Sequence, residues 1–253
     1  MIPKIIHYCW FGHNPLPESA QKCIASWRKF FPDYEIKEWN EDNFDVNMAP
    51  YSAEAYSAKK YAFVSDYVRY WILYRYGGLY FDTDVEVIKP MEDIIERGPF
   101  MGIEVESKDT GNGPSMPMAA PGLALGAEPN MEIYNILIQY YSDLHFLDKD
   151  GNLIPSAQLV TSVQHITSIL VKKGLQASNE LQNVSGIWIY PKDYFNPLDS
   201  LTGRLKITEN TRSIHWYMNS WSDTPKLYRW LKKMLHRIFG VNGLNWLKKI
   251  IHK

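Results

Sequence analysis

The 253-residue sequence has only two cysteines, Cys9 and Cys23. With no C-x-x-C pair they make neither a disulfide framework nor a zinc pattern, and they fit a reducing compartment. No run of about 18 apolar residues occurs, so no ordinary membrane-spanning helix is expected. The opening MIPKIIHYCWFG, interrupted by His7, is too short in its apolar stretch for a secretory signal, so a cytoplasmic chain is expected. Internal repeats and low-complexity segments are also missing. Acidic residues are missing from one region alone: residues 225 to 253 hold eight Lys/Arg and no Asp/Glu, leaving 19 basic against 28 acidic residues in the rest. The tail therefore carries +8 and the body −9, an asymmetry that calls for a partner of the tail.

What is present is a globular composition rich in aromatics, with 17 Tyr and 9 Trp. Such residues suit stacking on sugars and bases, and equally an aromatic core. The length suits one large domain, taken as residues 1–223, with 224–253 as the tail. PKIIHYCWF reads as a buried first strand. PESAQKCIASWRKFFP follows with Ile24, Trp27 and Phe31 at helical spacing between Pro17 and Pro32, and DYEIKEWN reads as a second strand. This β-α-β opening predicts an α/β fold with a mostly parallel sheet.

The segment Lys60 to Tyr76 predicts a helix with Val64, Val68, Trp71, Ile72 and Arg75 on one stripe, stopped by Gly77-Gly78 and feeding a strand at Leu79, Tyr80 and Phe81. Asp66 and Arg69, three apart, share a face of that helix; the plain reading is a surface ion pair. The strand runs out into Asp82-Thr83-Asp84. Where a strand ends in a loop, two like charges can converge on a cation that offsets their repulsion, although a lone D-x-D is also a common polar turn. Residues 106 to 130, rich in Gly, Pro and small side chains, predict a long loop broken by short elements. Helices are predicted from Met131 to Tyr141 and from Gln158 to Lys173, and GIWIYP as a late strand. LDKDGNLI, with Asp148 and Asp150, lacks the Gly and the closing Glu of a calcium loop and reads as a turn.

SDYVRYWILYRYGGLYFDTDVEVIKP, with IPKIIHYCWFG at the start and ITENTRSIHWYMNSW near the end, resembles the DXD-containing sugar transferases. That family includes fungal initiating mannosyltransferases, bacterial capsule and lipopolysaccharide transferases and, more distantly, the large glucosylating toxins. The resemblance spans residues 2 to about 221. It implies a Rossmann-like nucleotide-sugar-binding domain of the GT-A type and sugar transfer with retention of configuration, assisted by Mn²⁺ or Mg²⁺. A cation held by carboxylates would stabilise the charge that develops on a departing nucleoside diphosphate.

By the same resemblance Asp84 is the direct metal ligand, with Asp82 on the ribose or on the metal through water. Asp66 accepts from donor hydroxyls, Arg69 meets the diphosphate, Tyr80 belongs to the nucleotide-sugar site and Trp10 stacks on the base. His215 is a candidate third ligand, since neutral imidazole suits Mn²⁺. Ser220 and Trp221 form a lid over the leaving phosphate, with Asn219 where many relatives have Gly. No residue stands out as a covalent nucleophile.

The expected partners are a nucleotide-sugar donor, UDP-linked by preference, and a saccharide or lipid-linked acceptor of surface polysaccharide synthesis, with no nucleic acid among them. The tail predicts basic amphipathic C-terminal helices, with Leu227, Trp230, Leu231, Met234 and Ile238 opposite Lys226, Arg229, Lys233 and Arg237. That pattern suits an anionic membrane surface and a peripheral place on its inner face. Packing on the domain's own acidic surface is the other reading. A haloacid-dehalogenase-type phosphohydrolase also uses D-x-D, but in its first strand and with a later G-D-x-x-x-D that this sequence lacks; a binding protein that has lost transfer is the remaining alternative.

Overall fold

The structure is a computed structural model describing residues 1–155, 158–218, 231 and 234–237. Its elements follow the chain as β1 (Ile5–Cys9), α1 (Glu18–Phe30), β2 (Glu35–Trp39), α2 (Pro50–Ser57), α3 (Tyr61–Tyr76), β3 (Gly78–Tyr80), β4 (Val85–Val87) and α4 (Glu92–Arg97). They continue with β5 (Phe100–Val105), β6 (Met118–Ala127), α5 (Glu132–Ser142), α6 (Ser162–Lys172), β7 (Gln182–Val184), β8 (Ile187–Tyr190), α7 (Lys192–Phe195) and β9 (Ser213–His215). Seven strands form one sheet in the order β2-β1-β3-β6-β5-β8-β7, while β4 and β9 pair separately. The pairs β1/β2, β1/β3 and β5/β8 are parallel; β6 is antiparallel to β3 and β5, and β7 to β8. Five strands thus run one way, the mixed and mostly parallel α/β sheet that the opening β-α-β pattern predicts.

Alternation along the strands splits the core between two faces. Ile6, Tyr8 and Leu79 join Ile24 and Trp27 of α1, whereas Cys9 and Tyr80 join Val64, Val68 and Ile72 of α3. Trp27, fully buried, also ties α1 to β4 by donating from Nε1 to Val85 O at 2.8 Å. His7 is a buried polar member of β1. Since the Trp39 indole can only donate, it gives its N–H to His7 Nδ1 at 3.1 Å, which leaves Nε2 protonated and facing Gly77 O at 3.0 Å. Burial accordingly pulls the imidazole down to about 4, and it stays neutral while bracing the turn that launches β3.

The helix stop lies where Gly77-Gly78 predicts it. Gly77 has φ +62°, and its N–H caps Leu73 O. The expectation of a long loop over 106–130 needs correction: ten of those residues, Met118–Ala127, form β6 in the middle of the sheet. Their small side chains hide a strand pattern, yet they are what lets neighbours approach from both faces. On one of them, Thr167 of α6 accepts from Ala119 N–H at 3.0 Å. The 158–173 helix is shorter than predicted and starts at a capping box formed by Thr161 and Gln164.

The predicted C-terminal helices fall mostly outside the described residues. Positions 231 and 234–237 are helical. There Arg237 donates to the carbonyls of Thr202 and Gly203, both at 2.6 Å, and His236 Nδ1 lies 3.3 Å from Leu201 O. No helix among the described residues is long and apolar enough to cross a membrane.

Candidate functional site

Helix α3 packs on the face of the sheet to which Tyr80 points, and Asp82, two residues on, emerges on the same side next to Arg69. The Asp66–Arg69 pair is therefore no surface ion pair: the two residues are 8% and 4% exposed. The Arg69 guanidinium lies 3.1 Å from Asp66 Oδ1 and 3.3 Å from Asp82 Oδ1, Nε donates to Ser65 O at 2.9 Å, and the ring of Tyr80 lies 5.0 Å away. Arg69, the residue expected to meet a diphosphate, is thus enclosed by Asp66, Asp82, Ser65 and Tyr80. Tyr80 is also buried and donates its hydroxyl to Asp82 Oδ1 at 3.1 Å, so it backs the carboxylate from beneath. Burial pushes the Asp66 carboxyl up to about 6 despite Arg69, and raises that of Asp82 as well, again against Arg69. Gly122 of β6 is a contributor that sequence reasoning missed. A Cβ there would overlap Asp82 Oδ2, so only glycine leaves that carboxylate its place.

Asp84 belongs to a second layer made by the β4–β9 pair. Val85 is registered with His215, which brings the imidazole Nε2 within 3.0 Å of Asp84 Oδ1. The other oxygen accepts from Met218 N–H at 2.9 Å, and the Asp84 carbonyl accepts from Trp216 N–H at the same distance. Burial works against charge on Asp84, but His215 and the Met218 N–H prevail and hold its carboxyl below the ordinary range. His215 answers in kind: burial opposes its charge, and Asp84 raises its pKa nonetheless.

Ligand atoms of Asp82, Asp84 and His215 all lie within 4.8 Å of one another. Asp66 and Asp82 share the Arg69 guanidinium, and Asp84 faces only the imidazole; with His215 neutral, as a metal ligand must be, the three carboxylates and one guanidinium leave a net of two negative charges. The donor set of carboxylate oxygens and an imidazole nitrogen suits a divalent ion of the Mn²⁺ type, and the charge count matches one. The residues present therefore fit such a cation.

Trp10 stands just past β1, partly buried, with Nε1 donating to Asn14 O at 2.6 Å. It lines an open cavity of about 360 Å³ with His13, Asn14, Glu38, Asn40 and Glu41, beyond the C-terminal ends of β1 and β2. In open α/β sheets that edge is where ligands bind. Ser220, Trp221 and Asn219 lie outside the described residues.

Fold and site together define a class: an α/β protein with a D-x-D carboxylate pair and an imidazole at the C-terminal edge of its parallel strands. A more particular likeness lies in the sequence: residues 17–101 match the glycosyltransferase sugar-binding region containing the DXD motif. It is similar to inositol phosphoceramide mannosyltransferase 1 of Schizosaccharomyces pombe, with 30% identity over 111 residues, 40% of this chain and 33% of that protein. Inositol phosphoceramide mannosyltransferase 3 of the same yeast shares 35% over 98 residues, 37% of this chain and 27% of that protein. The matches thus span a third or less of the length of these relatives. Among solved structures, the chain is similar to the PaToxG glycosyltransferase at 20% identity and TM-score 0.41, over 53% of this chain and 58% of that one. It is also similar to the galactosyltransferase LgtC in complex with donor and acceptor sugar analogs, at 14% identity and TM-score 0.38, over 75% of this chain and 74% of that one.

Proposed function

We propose that the chain transfers a hexose, with retention of configuration, from a nucleoside diphosphate sugar to a saccharide acceptor. The convergence of Asp82, Asp84 and His215 within the DXD region is the observation that carries this reading. These three residues would hold Mn²⁺ or Mg²⁺, which when bound stabilises the charge gathering on the leaving diphosphate. Arg69 holds Asp66 and Asp82 in register, Asp66 accepts from hydroxyls of the donor, and Trp10 stacks on the base at the mouth of its cavity. Ser220 and Trp221 exclude water from the phosphate side. With no covalent nucleophile assigned, substitution takes place on one face, the leaving phosphate receiving the acceptor's proton.

A thermal-shift panel of UDP, GDP, CMP and their sugar conjugates, each with and without Mn²⁺, tests the proposal. A ligand at about 100 times its dissociation constant stabilises the native state by about 2.7 kcal/mol, or about 5 to 10 °C for a domain of this size. The expected shift requires nucleotide and cation together, with the uridine series leading if Trp10 stacks as proposed. A lead by GDP-mannose would keep the transferase reading and move the donor toward the mannosyltransferase relatives. No response to any nucleotide from folded protein with Mn²⁺ would falsify the reading.

The acceptor is proposed to be lipid-linked and used in surface polysaccharide synthesis, with the chain held on the inner face of an anionic membrane through residues 225–253. Two observations support the membrane reading. The tail holds eight Lys/Arg and no Asp/Glu, and Leu231, Met234 and Leu235 are exposed, as are Leu201, Leu205 and Ile207 in and beside the loop that receives Arg237. Ending the chain after Asp223 should release it from anionic vesicles while sparing transfer to a soluble acceptor, and salt should weaken binding of the full chain. Vesicle binding unchanged by the truncation would give the tail a packing role instead.

A further inference from the structure

We propose that Tyr217 is a positioning residue that sets the imidazole of His215 for cation binding. The inference rests on the reading of Asp82, Asp84 and His215 as ligands. An imidazole that ligates a metal normally takes its orientation from a hydrogen bond on its other ring nitrogen. His215 has none: with Nε2 on Asp84, its Nδ1 is buried and has no partner among the described residues. Beyond the contact with Asp84, which lies on the metal side, the ring is therefore set by packing. What packs on it is Tyr217, with ring centroids 4.2 Å apart and planes inclined at 58°.

Tyr217 is itself held from outside the segment. Its hydroxyl donates to Glu104 Oε1 at 3.0 Å and accepts from Asn196 Nδ2 at 2.7 Å, and the same amide donates to Glu104 O at 3.2 Å. Asn196 directly follows α7 and is 1% exposed. Glu104 occupies a β-bulge: Ile103 pairs with Ala119 and Val105 with Met118, which leaves Glu104 between them without a partner in β6. Bulges re-aim a side chain, and this one sends the carboxylate toward β9. The clamp thereby ties the His215 ring to the main sheet, of which β9 is not a member.

The backbone has the form such a clamp needs. Tyr217 has φ +50°, in the left-handed region that residues with a Cβ seldom adopt, and such strain persists only where the surroundings impose it. That single kink lets Trp216 N–H reach the Asp84 carbonyl and Met218 N–H reach the Asp84 carboxylate, while the intervening ring folds back over His215. A straight segment could not make all three contacts at once.

The test is direct titration of the full chain with Mn²⁺, reading free ion by electron paramagnetic resonance, for wild type, His215→Ala, Tyr217→Phe, Tyr217→Ala and the His215→Ala/Tyr217→Ala double variant. Tyr217→Phe keeps the ring and loses the clamp, and should weaken Mn²⁺ by about 10-fold; Tyr217→Ala should approach the loss seen in His215→Ala, about 100-fold. Because Tyr217 acts through His215, the double variant should bind no more weakly than His215→Ala alone. An unchanged affinity in Tyr217→Phe overturns the proposal even if Tyr217→Ala fails to fold, as metal-free melting would reveal. An equal loss on adding Tyr217→Ala to either background overturns it too, since the effect would then bypass the imidazole. No Mn²⁺ binding by folded wild type would sink the ligand reading itself, and this inference with it, whereas binding lost in His215→Ala but kept in both Tyr217 variants sinks the inference alone.

Discussion

Asp84→Ala is expected to remain folded and to lose metal-dependent transfer and donor hydrolysis by roughly 10³-fold or more, the scale on which a transition-state charge stabiliser acts. Asp84 is partly buried at the outer end of the D-x-D, so no apolar core is opened. It does accept from Met218 N–H and face His215, and their loss should cost roughly 1 to 3 kcal/mol in stability. Asp84→Asn, which preserves shape and an acceptor oxygen, should recover most of that stability while remaining inactive. Asp82→Ala should be severe but less complete, because that carboxylate is shared with Arg69 and Tyr80. Steady-state turnover at saturating Mn²⁺ decides the matter. Near-wild-type activity in Asp84→Ala would mean that the cation is held elsewhere.

Arg69→Met is expected to lose roughly 3 to 5 kcal/mol of stability at pH 8, the cost of stranding buried carboxylates when their counter-ion is removed. The pH dependence separates this from a simple packing defect. With Arg69 present Asp66 already titrates at about 6; without it both Asp66 and Asp82 should bind protons more readily. A carboxyl whose folded pKa is raised above its unfolded value takes up its proton first in the folded state, so folding gains as pH falls through the folded pKa. The deficit of the variant against wild type should therefore shrink between pH 8 and pH 5. The neutral, buried His7 lowers stability over part of that range in both proteins and cancels in the difference. Denaturant melts at the two pH values test this, and a deficit equal at both would show that charge is not what Arg69 supplies.

The parts of the molecule legible in the sequence are those written within one short segment. Asp66 and Arg69 are three apart on a helix, Gly77-Gly78 turns the chain, and Tyr80, Asp82 and Asp84 follow at intervals of two. Local geometry brings most of that site together, and the family resemblance pointed to His215. β6 was not legible, because MAAPGLALGA owes its small side chains to what presses on it from the two faces, and neither neighbour is near in sequence. Glu104 gave no signal, as a bulge is a property of a pair of strands. Tyr217 stands in the run ITENTRSIHWYMNSW, but its φ and its partners on β5 and after α7 are tertiary facts. The same holds for the enclosure of Arg69, which depends on packing that sequence spacing does not record.

The pairing of β4 with β9 also bears on the order in which the molecule can be completed. All seven strands of the main sheet have been made once the chain reaches Tyr190, yet His215 and the residue that reaches Asp84 through Met218 N–H come later, 134 positions after that aspartate in the second case. Long-range closures of this kind form slowly, and they form last when the chain folds as it emerges from the ribosome. A nascent chain stopped at Tyr190 would therefore carry Asp66 and Asp82 against Arg69, with Asp84 lacking the imidazole that pairs with it. Full cation affinity would in that case report that synthesis had passed β9, and a fragment ending before Ser213 could bury much of its core while still lacking the complete ligand set.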